Sequence, residues 1–267
     1  MKKLLGIFVI TALLCLSMTA NAATLIGHWG FEEGSGTTAN DSSSNTLNGT
    51  INNAAYTTGK VGSYALAFNG SNSFVEVAYS ALLNPDTVSI SLWFNPGSSQ
   101  VMWADLLDKG HGAGTTPYYG GYVLQYHEPV DGPPYTQGTI NTGYGNGSTF
   151  PSMNTGSSYL DNTWHHLVAA LGADGMALYV DNQLITSGAG QGAIVDNDSS
   201  LYFGRHRTLG RYFSGLIDDV QIYEGVLTAD DVDRLYSQGT TVPVPGAIFL
   251  FAPGLACLAA LRRRFLK

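Results

Sequence analysis

Two carboxylates stand side by side in Asp218-Asp219, inside the otherwise apolar run Leu216–Tyr223. Adjacent charges in such a run repel one another and are costly to bury, so they demand a cation, an arginine or water. Asp41 opens Asp-Ser-Ser-Ser-Asn-Thr-Leu-Asn-Gly, a loop rich in the side-chain and backbone oxygens that calcium collects about six to eight at a time. Acid–base chemistry on a glycosidic bond needs two carboxylates on one groove, about 5–5.5 Å apart in a retaining enzyme. Glu32 and Glu33 are neighbours and fall on opposite faces of an extended chain, and Glu128 and Asp131 lie in a proline-rich loop. His165 and His166 also alternate across a strand, so they cannot hold one metal between them. Gly-x-Ser-x-Gly, phosphate-loop and zinc spacings are absent. These residues favour binding over catalysis.

Tyrosines supply the second kind of chemistry. Between Lys109 and Asp161 stand Tyr118, Tyr119, Tyr122, Tyr126, Tyr135, Tyr144, Phe150 and Tyr159, in a segment with few aliphatic residues. A tyrosine offers a flat apolar face to a sugar ring and a hydroxyl to its polar edge, at little entropic cost. Tyr118, Tyr119, Tyr122 and Gln125 are therefore the candidate ligand-binding residues, with Asn141 and Asp131 as further hydrogen-bonding groups. Alternatively, Tyr122 and Tyr126, at strand spacing, cover a sheet while the others tack down long loops.

The elements that must position these groups are strands. Short apolar or alternating runs recur between Gly, Asn, Asp and Ser clusters: Leu25–Phe31, Tyr64–Phe68, Phe74–Val77, Val88–Phe94, Ala104–Leu107, Gly121–Tyr126, Trp164–Leu171, Met176–Val180, Gln183–Thr186, Leu201–Phe203 and Phe213–Tyr223. Asp174-Gly175 and Asp181-Asn182 sit where tight hairpin turns belong. Only Ala229–Ser237 reads as a helix, capped by Thr228 with Asp231 as its partner three residues on. Alternation places Trp164, His166 and Val168 on one face, and Leu216, Asp218, Val220 and Ile222 on another. This is an all-β chain, a two-sheet antiparallel sandwich.

The two ends differ from the middle. Lys2-Lys3, the apolar stretch Leu4–Met18 and Ala20-Asn21-Ala22 form a signal peptide over 1–22, which implies export. From Gly246 to Leu261 no residue is charged; counted from Val242, that is about 30 Å of helix, enough to cross a bilayer. Arg262-Arg263-Arg264 then marks the cytoplasmic side. The region between the ends holds all 20 acidic residues against six of the 12 basic ones, a net charge of −14. That balance disfavours nucleic acid or an anionic membrane surface as a partner. Both cysteines, Cys15 and Cys257, lie in the ends, so the middle is stable without disulfides. Its length suits one domain, here 24–238, with the tail at 242–267.

Five blocks, in order, carry a family resemblance: LIGHWGFEEGSGTTANDSSSNTLNGT, GKVGSYALAFNGSNSFVEV, VSISLWFNP, NTWHHLVAALGADGMALYVDNQLI and FSGLIDDVQIYEGVLTADDVDRLY. They resemble the laminin-G-like branch of the concanavalin A-like lectin and glucanase jelly rolls. The resemblance implies two antiparallel sheets packed face to face, with the first strand beside the last. The segment His111–Ser158 matches none of these blocks. In the resembling family a metal often bridges the chain's two ends, which implies calcium ligands at Asp41 and Asp219, with Asn45 and Asn48 beside them. The competing reading is an Asx-turn at Asp41, with Asp218 and Asp219 met by water or Arg205. Val242-Pro243-Val244-Pro245, followed by an apolar span and arginines, resembles the PEP-CTERM sorting tail of Gram-negative bacteria, in a form with Val244 where the name-giving glutamate stands. This implies recognition by an exosortase, cleavage near the motif and association with exopolysaccharide; the alternative is a permanent single-span anchor. The expected function is a non-catalytic surface module that binds glycans or another extracellular polymer. The alternatives are a structural or adhesive envelope protein and, less favoured, a polysaccharide hydrolase or lyase.

Overall fold

A computed structural model describes residues 22–110, 120–127 and 138–240. The signal peptide (1–21 of its 1–22), Tyr118 and Tyr119, Glu128 and Asp131, and the sorting tail with its apolar span lie outside the described residues. Among the described residues no helix is long and apolar enough to cross a membrane.

Two eight-stranded antiparallel sheets pack face to face. The first has the order β14-β13-β12-β7-β16-β5-β4, from Gln183–Gly188, Met176–Val180, His165–Gly172, Thr87–Pro96, Ser214–Glu224, Tyr64–Asn69 and Ala55–Thr58, with β1 (Thr24–Trp29) paired to β16. The second has the order β11-β10-β9-β8-β15-β6-β3-β2, from Ser152–Asn154, Ile140–Tyr144, Tyr122–Tyr126, Asp105–Asp108, Leu201–Phe203, Phe74–Val77, Gly49–Asn52 and Thr38–Ala39. The first strand lies beside the last, as the resemblance implies.

Alternation builds the core. In β7, Val88, Ile90, Leu92 and Phe94 face the second sheet, and Leu167, Ala169 and Leu171 of β12 join them. The opposite face of β7 and β12 is not left to solvent. Helix α1 (Ala229–Thr240) lies over it, and Val168, Tyr223, Leu227, Val232 and Leu235 form a second apolar cluster beneath the helix. Thr228 and Asp231 form the expected capping box: the Thr228 amide and hydroxyl donate to Asp231 Oδ2 at 3.1 and 2.7 Å, and the Asp231 amide donates to Thr228 Oγ1 at 3.2 Å. Asp181 and Asn182, at φ 50° and 64°, turn β13 into β14, because a two-residue hairpin of this twist needs positive φ at both positions.

One expected pattern fails, for a local reason. Strict alternation over Leu216–Tyr223 puts Asp218 on the same face as Val220 and Ile222. The pairing of β16 with β7 instead shifts between Asp218 and Gln221, and Asp219 takes φ 47°. This β-bulge inserts one residue and reverses parity. Ile217, Val220 and Ile222 therefore reach the core, while Asp218, paired with Trp93, shares the outer face with Gln221 and Tyr223.

Candidate functional site

The first candidate site is the junction of the first and last strands. The Asp41 carboxylate accepts the amides of His28, Ser43 and Leu47 at 2.9, 2.8 and 2.7 Å, and the Ser43 hydroxyl at 2.8 Å. Burial raises the Asp41 pKa, but these donors outweigh it and hold the group below the ordinary aspartate value. Asp219 Oδ1 lies 2.6 Å from His28 Nε2, and Asp219 Oδ2 accepts from Gln221 at 2.9 Å. His28 thus joins the two segments that the sequence brings together: Asp41 holds its amide and Asp219 its ring. Asn48 Oδ1 accepts the Asp41 amide at 2.9 Å, and Asn45 Nδ2 donates to the Ile26 carbonyl at 2.7 Å. All four expected metal-site residues lie at this junction, each already engaged in hydrogen bonds.

Beneath α1, on the outer face of the first sheet, Asp218, Trp93 and His166 stand in register across β16, β7 and β12. Tyr236 of α1 stacks on Trp93 at 5.5 Å, and Lys60 Nζ sits 4.9 Å over the indole. Asp218 Oδ2 accepts the Lys60 and Val61 amides at 2.7 and 2.9 Å. Its other oxygen is buried without a partner, and burial pushes its pKa up to about 7. His166 bonds Ser91 at 2.8 Å, and burial lowers its pKa to about 4. His165 faces the other way. Burial pulls its pKa down, but hydrogen bonds to Asp181 at 2.7 Å and Asp161 at 3.1 Å outweigh that and leave it raised. The two histidines therefore serve separate networks, as alternation requires.

Of the candidate ligand-binding tyrosines, Tyr122 is corrected by its burial. Tyr122 and Tyr126 lie in the core with Leu124, and Tyr122 donates its hydroxyl to the Leu83 carbonyl at 3.1 Å. Tyr144 is buried too and donates to the Gly172 carbonyl at 3.2 Å. Inward strand positions of β9 and β10 place these rings between the sheets, so Tyr122 offers no surface to a ligand. Gln125 is on the outer face of the second sheet but only 5% exposed.

Accessible aromatic groups lie elsewhere on that outer face. Arg205 sits 4.4 Å over Phe74, 5.0 Å over Tyr202 and 5.6 Å over Tyr212, all four residues half-buried. Its guanidinium donates to the carbonyls of His206 and Arg207, which fixes its plane. Arg205 is thus remote from the Asp218–Asp219 pair. Along one rim Trp103, at φ 58°, packs on His127 with Arg211 5.9 Å over it, and Val101, Met102 and Leu209 are exposed.

A further cluster escaped the sequence reading. Asp105, Asp108 and His206, all buried, each bring one potential ligand atom to within 4.8 Å of the others. In a regular strand, residues three apart face opposite ways. The pairing of β8 with β9 shifts between Asp105 and Leu107, so Asp105 pairs with Gln125 and Asp108 with Val123, two residues on one face. Both oxygens of Asp105 are buried without a hydrogen-bond partner. Burial, reinforced by Asp108 and opposed by Arg211, pushes its pKa well above the ordinary value.

Residues 69–233 match the family model described as the concanavalin A-like lectin/glucanases superfamily, laminin-G type. Among curated proteins the chain is similar to adhesion G-protein coupled receptor V1 of Danio rerio, 26% identical over 171 residues, 60% of this chain. It spans about 3% of that receptor's length. Among solved structures it is similar to domain 4 of AbnA, a GH43 extracellular arabinanase of Geobacillus stearothermophilus, in complex with arabinotriose. That likeness has a TM-score of 0.64 at 23% identity and covers 80% of this chain and 99% of the other. The binding domain of Paraclostridial Mosquitocidal Protein 1 gives a TM-score of 0.61 at 17% identity, over 80% of this chain and 52% of the other. With a jelly-roll sandwich whose strand order closes first strand on last, and a family match over most of the described domain, this chain belongs to the laminin-G-like family of the concanavalin A-like lectin/glucanase superfamily.

Proposed function

We propose that this protein is an exported, surface-associated, non-catalytic module that binds glycans or another extracellular polymer through the outer face of its second sheet. The observation that carries this is the row formed by Phe74, Tyr202, Arg205 and Tyr212. Flat rings held around a fixed guanidinium give a sugar ring an apolar platform and its hydroxyls a set of donors. The exposed rim of Val101, Met102 and Leu209 extends that surface with apolar area. The arabinanase domain of similar fold, bound to arabinotriose, supports a sugar as ligand. Asp105 and Asp218 are buried and lie in different sheets, so they do not flank one groove as a hydrolytic pair must, which supports binding without hydrolysis. Export, exosortase processing and membrane association through the tail rest on the sequences at 1–22 and 242–267.

The test is retention on insoluble and acidic polysaccharides, comparing wild type with the double variant Tyr202→Ala/Tyr212→Ala. Loss of two stacking rings is expected to weaken binding by about tenfold or more, since such anchors contribute about 1–2 kcal/mol each. If neither protein is retained, or both equally, this face is not the site.

A further inference from the structure

The outer face of β8 and β9 holds three buried acceptors that no donor reaches. Asp105 Oδ1 and Oδ2 and Gln125 Oε1 are all buried and without a hydrogen-bond partner, and Asp105 and Gln125 pair directly across the two strands. Asp108, on the same face, accepts the Arg207 amide through Oδ2 at 2.9 Å and lies beside them. Neither neighbouring guanidinium satisfies Asp105, whose oxygens have no donor; Arg207 Nη1 donates instead to Ser199 at 3.0 Å, and its Nε and Nη2 are buried without reaching any acceptor. Lys109 is likewise directed away, to Asn197 at 3.3 Å and over Tyr79. A single proton on Asp105 would turn one of the three orphan oxygens into a donor and leave a deficit. A divalent cation satisfies several acceptors at once, and its charge offsets two buried carboxylates.

The histidine narrows the class of ion. His206 Nδ1 accepts the amides of Thr208 and Leu209, each at 3.1 Å. Its ring proton is therefore on Nε2, which makes that atom a donor and not a metal ligand. His206 then acts as a positioning residue beside the carboxylates, and the ligands are oxygens.

We propose that Asp105, Asp108 and Gln125 form a site for an oxygen-coordinated divalent cation, of the calcium or manganese kind, on the outer face of the second sheet. The site lies at a β-bulge that turns Asp105 and Asp108 to one side, and it is separate from the Asp41–Asp219 junction on the first sheet. A bound ion there would fix β8, which also pairs with β15, the strand carrying Tyr202.

The experiment strips the full-length protein of metal, then titrates it with calcium, manganese or zinc by calorimetry, with metal content measured after dialysis. Wild type is expected to retain about one equivalent of calcium or manganese that Asp105→Asn loses and Asp41→Asn keeps. Asp105→Asn replaces a buried, unpartnered carboxyl by an amide of the same size, so its metal-free melting temperature should equal or exceed that of wild type, which separates lost binding from lost folding. Absence of binding by wild type, or equal binding by Asp105→Asn, overturns the site. Binding of zinc alone, abolished by His206→Gln, overturns the oxygen-ligand assignment.

Discussion

His165 and His166 are neighbours with opposite titration behaviour, because a strand sends them to opposite environments. His165 is raised by Asp181 and Asp161 against the pull of burial, so the folded state binds its proton more tightly than the unfolded chain does. Its contribution to stability is complete below an unfolded pKa of about 6.5 and fades as pH rises through the raised folded value. His166 is lowered by burial to about 4. Its contribution is present above about 6.5 and is lost as pH falls through 4, roughly 3 kcal/mol for a shift of this size. Resolved imidazole resonances should show one ring titrating above the ordinary histidine value and one below it. Two coincident titrations near 6.5 would contradict both environments. The separation of the two rings was legible in the sequence, since period-two alternation needs only the strand. Their partners were not: Asp181 reaches His165 from the β13–β14 turn, and Asp161 from the loop before β12.

At the scale of elements, the long apolar runs were legible and the bulges were not. Each run named from alternation became a strand, and Thr228 with Asp231 placed the start of α1. The strands missed were those with little apolar character, such as β2 at Thr38–Ala39, or with tyrosine and glycine in an unmatched segment, such as β10 at Ile140–Tyr144. Both aspartate features hinge on bulges, at Asp219 in β16 and between Asp105 and Leu107 in β8. A bulge changes parity by one residue, and no period in the sequence marks it. The Asp218–Asp219 pair was therefore visible as a problem, whereas plain alternation sets Asp105 and Asp108, three residues apart, on opposite faces and hides their meeting. Helix α1 offers a direct test of packing against propensity. Replacing a helical glycine by alanine ordinarily stabilises by about 1 kcal/mol. At Gly239 the new Cβ would lie 2.3 Å from the Trp93 ring, with the indole already held between Tyr236 and His166. Overpacking should win, and Gly239→Ala is expected to lose about 1–3 kcal/mol in a denaturant titration. A gain in stability would mean that α1 does not press on the sheet as described.

Across the whole molecule, the chain closes on itself where β1 pairs with β16, and the side chains at that seam decide how it is locked. His28 bonds Asp219 with its ring while its own amide is held by Asp41, so one residue ties the first strand, the following loop and the last strand together. The family resemblance placed Asp41 and Asp219 near each other from sequence order alone; the histidine between them was not legible, because nothing in its spacing distinguishes it from a surface residue. Calcium, the cofactor proposed at Asp41, Asn45, Asn48 and Asp219, would have to take the place that His28 Nε2 holds at Asp219 Oδ1. Removing the imidazole leaves Asp219, only 3% exposed, with a buried oxygen that has lost its partner. His28→Ala should therefore be less stable than wild type, by at least the roughly 1–3 kcal/mol that an unsatisfied buried acceptor costs. The same change opens a coordination position between two carboxylate-bearing segments. Because an ion that binds only the folded state stabilises by mass action, calcium should raise the melting temperature of His28→Ala by more than it raises that of wild type. The comparison isolates the junction, since any cation bound at Asp105 on the other sheet contributes equally to both proteins. Equal increments would assign the seam to His28 alone, with no ion in it.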